Sequence, residues 1–103
     1  MVFEFLDDEL EALVNHKYKG KYKSYRSNAR LIKDLDKVIR LIEVAANIQE
    51  VANIGSLAYE PLKGSAHSSV RVGYNTKYRL IFQEHEDKIT LLLIELSEHY
   101  GDH

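Results

Sequence analysis

The 103-residue chain contains no cysteine, which excludes disulfides, thiolate catalysis and cysteine-ligated zinc. Such usage fits a reducing compartment. No apolar run approaches the roughly 18 residues that span a bilayer, and Met1 to Leu6 lacks a basic stretch followed by an apolar signal segment, so a cytoplasmic protein without membrane contact is expected. A Gly-rich phosphate loop, a Ser-His-Asp order and a paired-carboxylate motif are also missing. His99 and His103 have His-x-x-x-His spacing, which suits a metal only on a helix, and Gly101 interrupts them. Neither metal nor cofactor is expected. What remains is an ordinary globular balance, 45% hydrophobic and 29% charged, in a length that suits one domain over residues 1–103 with a single core.

Charge is unevenly placed. Between Ala12 and Lys33 there is no acidic residue but seven basic ones, Lys17, Lys19, Lys21, Lys23, Arg26, Arg30 and Lys33, and the rest of the chain balances to −9. A concentrated basic patch binds nucleic acid or an acidic partner despite a net charge of −2. Tyr18, Tyr22 and Tyr25 interleave with these cations and offer rings for stacking.

Val2 to Leu6 reads as a strand, and Asp7 and Asp8 cap a short helix to about His16. His16 to Arg26, which lacks aliphatic anchors, reads as a loop or frayed helical extension. After a second cap at Ser27-Asn28, the stripe Leu31, Leu35, Val38, Ile39, Ile42, Ala45 and Ala46 predicts an amphipathic helix to about Ala46. Asn47 would end it, and Ile48 to Asn53 would add another short helical turn. Beyond Gly55 the period becomes that of strands: Ser56 to Leu62, with Pro61 marking a sheet edge or the strand's end, then Ser68 to Tyr74, Lys77 to Glu84 and Lys88 to Leu96. The expected fold is α+β, with helices on one face of a mainly antiparallel sheet of four to five strands.

The strands carry the chemistry. Arg71 lies within Val70-Arg71-Val72 and Arg79 within Tyr78-Arg79-Leu80. A three-residue connection, Tyr74 to Thr76, sets them directly across from each other, whereas a two-residue one turns Arg79 away. Converging guanidiniums repel unless an anion lies between them, and their planar donors suit phosphate, the alternative being that each pairs with an acid such as Glu84 or Glu95. Lys63 and His67 belong to the loop before Ser68, where the His67 imidazole can act as acid or base. His99-Tyr100 follows the last strand and can orient or protonate a substrate, or simply cap the core.

In order, length and residues, the set Leu62-Lys63-Gly64, Ser69-Val70-Arg71-Val72, Tyr78-Arg79-Leu80-Ile81-Phe82 and His99-Tyr100-Gly101 resembles the RelE/ParE toxin superfamily, most of all its HigB-type (plasmid maintenance system killer) branch. The resemblance implies a ribosome-dependent endoribonuclease that cuts mRNA, with a cognate helix-turn-helix antitoxin. It also implies that Arg71 and Arg79 hold the scissile phosphate, that Lys63 stabilises charge, and that His99 and Tyr100 serve proton transfer or stacking, with His67 a further candidate. Lys17, Lys19, Lys21, Lys23, Arg26 and Arg30 would meet RNA. Two alternatives share the fold: a non-enzymatic gyrase inhibitor of the ParE kind, and an inactive homologue that only binds the antitoxin.

Overall fold

The computed structural model describes residues 1–74, 76–86 and 88–96. Strand β1 (Val2–Phe5) leads to helix α1 (Asp8–Val14), whose N-cap Asp7 accepts the Leu10 N–H at 2.8 Å. Asp8, Glu9 and Glu11 in and just after the first turn complement the helix dipole. A 3-10 helix over Gly20–Ser27 precedes α2 (Ala29–Val44), where Asn28 accepts the Leu31 N–H at 3.1 Å. The stripe Leu31, Leu35, Val38, Ile39 and Ile42 is buried as expected.

Three segments differ from the sequence reading. Helix α2 stops at Val44 because a second cap competes with it. Asn47 accepts the Glu50 N–H at 3.0 Å to begin α3 (Ile48–Ala52), and Glu50 reaches back to the Ala46 N–H at 2.7 Å, a variant of the capping box. Ala45 is buried but Ala46 faces solvent. In the stretch from His16 to Arg26, residues 16–19 are irregular as expected, but from Gly20 on the chain forms the 3-10 helix, anchored by Tyr22. Its ring is 2% exposed and its hydroxyl accepts the Ile94 N–H at 3.0 Å. Tyr22 is therefore unavailable for stacking. Finally, Ser56 to Leu62 is not one strand: Leu57 is drawn into the core, a 3-10 turn forms over Gly55–Leu57, and Ala58 turns left-handed at φ 45°. Only β2 (Glu60–Pro61) remains extended, at the sheet edge where Pro61 was expected.

Strands β3 (His67–Arg71), β4 (Tyr78–Glu84) and β5 (Lys88–Leu96) complete a five-stranded sheet of order β1-β5-β4-β3-β2. β1 runs parallel to β5 and the other pairs are antiparallel. The helices cover one face, where Val70, Val72, Leu80, Phe82, Ile89, Leu91 and Ile94 join Leu10, Leu13, Leu35 and Ile42 in the core. Leu91 and Ile94 are three residues apart, so strict alternation would place them on opposite faces. A bulge between the Ile81–Leu93 and Phe82–Leu91 pairs absorbs Leu92 and brings both inward.

Candidate active site

The β3–β4 register pairs Arg71 with Arg79, the three-residue alternative. Cross-strand partners share a face, so both guanidiniums leave the sheet on the side away from the helical core. They reach the same short segment. Arg71 Nη2 donates to the Ser56 carbonyl at 3.3 Å and Arg79 Nη2 to the Ala58 carbonyl at 2.6 Å. The left-handed turn at Ala58 accompanies this presentation of carbonyls two residues apart.

The two arginines are not equivalent. Arg79 is 8% exposed, and its Nε also donates to Ser69 Oγ at 2.8 Å, itself fully buried. Arg71 is half-buried and lies with its guanidinium 5.6 Å from the Tyr74 ring centroid, within cation–π range. Its Nε is buried without a hydrogen-bond partner among the described residues. One arginine braces the wall, and the other still has capacity to bind.

The segment is pinned from the opposite face too. The Tyr59 hydroxyl donates to Glu84, which also accepts from Ser68 Oγ at 2.5 Å, and the Tyr59 ring packs 6.2 Å from Phe82. Burial, then the adjoining Glu84 carboxylate, pushes the Tyr59 hydroxyl above its ordinary pKa, so it keeps its proton at neutral pH.

Glu60, which sequence reasoning did not single out, lies beside the arginines. It pairs with Ser69, is exposed, and shares the face of Arg71 and Arg79. Alternation alone could not reveal this, because β2 is two residues long. His67 opens β3 on the same face, half-buried, with its backbone N–H on Ser65 Oγ at 2.9 Å. Four residues of strand separate it from Arg71, about 13 Å between Cα atoms. Lys63 is exposed in the turn closed by Leu62 N–H on the His67 carbonyl at 2.9 Å. Thus Arg71, Arg79 and Glu60 are gathered, while Lys63 and His67 occupy the far end of the β2–β3 hairpin. His99 and Tyr100 lie outside the described residues.

The basic segment is solvent-facing: Lys17, Lys19, Lys21, Lys23, Arg26 and Arg30 are all exposed. Lys21 is partly committed, to Asp7 at 2.8 Å and Glu9 at 3.7 Å. Arg30 donates to the Tyr74 carbonyl. Among the described residues no group of three or more His, Asp or Glu side chains could hold a metal ion, and no helix is long and apolar enough to cross a membrane.

This architecture, with helices against a mostly antiparallel five-stranded sheet, matches the fold of YoeB/ParE toxins. The chain superposes on a YoeB/ParE toxin from Agrobacterium tumefaciens with a TM-score of 0.57 at 16% identity, over 93% of this chain and 98% of that one. A YoeB dimer from Staphylococcus aureus matches with a TM-score of 0.51 at 17% identity, over 97% of this chain and 98% of the other. No sequence-family profile matches the chain, and no curated protein matches it by sequence.

Proposed function

We propose that this protein is the toxin of a toxin–antitoxin pair and cleaves mRNA on the ribosome, as an endoribonuclease of the HigB type with a helix-turn-helix antitoxin. The observation that carries the reading is the Arg71–Arg79 register, which sets an available guanidinium beside a braced one on the sheet face away from the helices. RNA brings its own nucleophile, so the protein has only to position it, move protons and stabilise charge. The 2′-hydroxyl attacks the adjacent phosphorus, forming a 2′,3′-cyclic phosphate and expelling the 5′-oxygen of the next nucleotide. Arg71 neutralises the non-bridging oxygens as their charge grows. Arg79 acts as a positioning residue that fixes the carbonyl segment and, through it, the entry to β2. The Glu60 carboxylate accepts the 2′-hydroxyl proton. Lys63, His67 and the His99-Tyr100 pair are the candidates for charge support and for returning a proton to the leaving oxygen. Lys17, Lys19, Lys23 and Arg26 supply the docking charge toward ribosomal RNA.

The test is induced expression of the wild type and of Arg71→Ala in cells, with mRNA 5′ ends mapped. Codon-phased cleavage that disappears in the variant supports the nuclease. Growth arrest with intact mRNA and a DNA-damage response overturns it in favour of gyrase inhibition.

A further inference from the structure

Arg71 faces a second feature besides the open sheet. A cleft of about 260 Å³ lies between α2, the 3-10 turn at Leu57 and the start of the β3–β4 connection. Arg30 and Lys37 of α2 contribute positive charge and Asp34, whose Oδ2 is buried without a hydrogen-bond partner among the described residues, a negative one, while Leu57 and Val38 give the cleft an apolar floor and the Tyr74 ring forms a wall. Tyr74 is 72% exposed, and the Arg71 guanidinium lies 5.6 Å from its ring centroid, which leaves the rest of the ring open to stacking. Drug-sized ligands occupy about 300–1,000 Å³, so this volume suits something smaller, of the size of one nucleotide.

The cleft is held open by its own contacts. Arg30 joins α2 to the β3–β4 connection through the Tyr74 carbonyl, and Asp34 Oδ2 sits 3.6 Å from Arg30 Nε. Gly73, at φ +89°, makes the approach possible: a Cβ there would stand 2.2 Å from Asp34 Oδ2. A bare inorganic anion would need only the cations. An apolar floor and an exposed ring beside them fit a ligand with a flat, stackable part and a phosphate.

We infer that this cleft binds one nucleotide of single-stranded RNA, its base stacked on Tyr74 over Leu57 and its phosphate on Arg30 and Lys37. The inference rests on the ribonuclease reading and extends it, because Arg71 is shared by the cleft and the cleavage face. The nucleotide held here adjoins the one whose phosphate Arg71 grips. Stacking on a tyrosine tolerates any base, so the subsite contributes affinity and alignment rather than a base code.

The experiment is a titration of the purified protein with a 2′-O-methyl trinucleotide, which cannot be cut, followed by the methyl NMR signals of Leu57 and Val38 and by affinity. Tyr74→Ala should weaken binding about tenfold, and Tyr74→Phe should stay within about twofold, since the ring and not the hydroxyl does the stacking. Lys37→Ala should weaken binding and lower the salt slope by about one charge. Inorganic phosphate at equal concentration should not displace the trinucleotide. Unchanged affinity in Tyr74→Ala, silent Leu57 and Val38 methyls, or displacement by phosphate would each overturn the subsite. The titration needs no catalysis, so it separates the two ideas. Tyr74-dependent binding with intact cellular mRNA leaves the subsite standing and removes the nuclease, whereas cleaved mRNA with Tyr74-independent binding does the reverse.

Discussion

Replacing Arg79 by Met should cost stability, while the same change at Arg71 should cost activity alone. Methionine follows the arginine stem and keeps most of its packing, so the perturbation isolates the guanidinium. At Arg79 it removes the charged hydrogen bonds to Ser69 Oγ at 2.8 Å and to the Ala58 carbonyl at 2.6 Å, among the described residues. Hydrogen bonds to charged groups contribute about 1.5–3 kcal/mol each. Relief of the buried cation's desolvation offsets part of the sum, leaving a loss of about 3 kcal/mol. For a chain of this length that lowers the melting temperature by about 12 °C. Arg71 makes one long bond, 3.3 Å, to a carbonyl of an exposed residue, so Arg71→Met should lose less than about 1 kcal/mol. Thermal and urea unfolding of both variants, beside mRNA cleavage after induction, gives the comparison. If Arg79→Met melts within about 2 °C of wild type, or Arg71→Met proves the less stable of the two, the division into brace and contact is wrong.

Tyr22→Phe removes the hydroxyl that accepts the buried Ile94 N–H and should cost about 1–3 kcal/mol by leaving that donor unpaired; an unchanged urea midpoint would contradict the anchoring role. Gly73→Ala should destabilise by about 1–3 kcal/mol through its left-handed backbone and the collision with Asp34. Combined with Asp34→Ala the cost should be smaller than additive, and a fully additive double-mutant cycle would show that the carboxylate is not the obstacle. The Lys21 ammonium, then the Leu10 N–H, holds Asp7 below the ordinary carboxylate range. A depressed folded pKa gives stability that is present above the unfolded value of 3.8 and lost as pH falls through the folded one. Asp7→Ala should therefore lose about 1 kcal/mol of cap energy at neutral pH and show a shallower stability loss below about pH 4, measured by melting across pH 2–7.

The helices were legible because their signals are local. Asp7 and Asn28 are caps whose side chains find the expected N–H groups, and the α2 stripe needs only its own spacing. The hairpin strands were legible for the same reason, and the register question reduced to two loop lengths. What could not be read depends on distant partners. The end of α2 is decided by Asn47 and Glu50 acting together. Tyr22 looks like one more ring in a basic run until Ile94, 72 residues later, supplies its donor. The break of the Ser56–Leu62 stretch follows from Leu57 being drawn inward while the carbonyls on either side turn toward arginines. For the site, the arginine pairing was stated as one of two options, but the burial that separates the roles of Arg71 and Arg79 comes from the segment lying over them. Glu60 stayed hidden because a two-residue strand has no periodicity to show.

The pairing of β1 with β5 joins residues 2–5 to residues 88–91, almost the two ends of the described chain. During synthesis β1 emerges well before β5, its one strand neighbour in the sheet among the described residues. Until β5 is available, β1 has no strand beside it and β4 lacks one of its two neighbours. A nascent chain still threaded through its ribosome thus holds both arginines without the complete sheet that supports them. For a protein proposed to attack ribosomes at work, this order of assembly delays competence until β5 has been made and has left the ribosome.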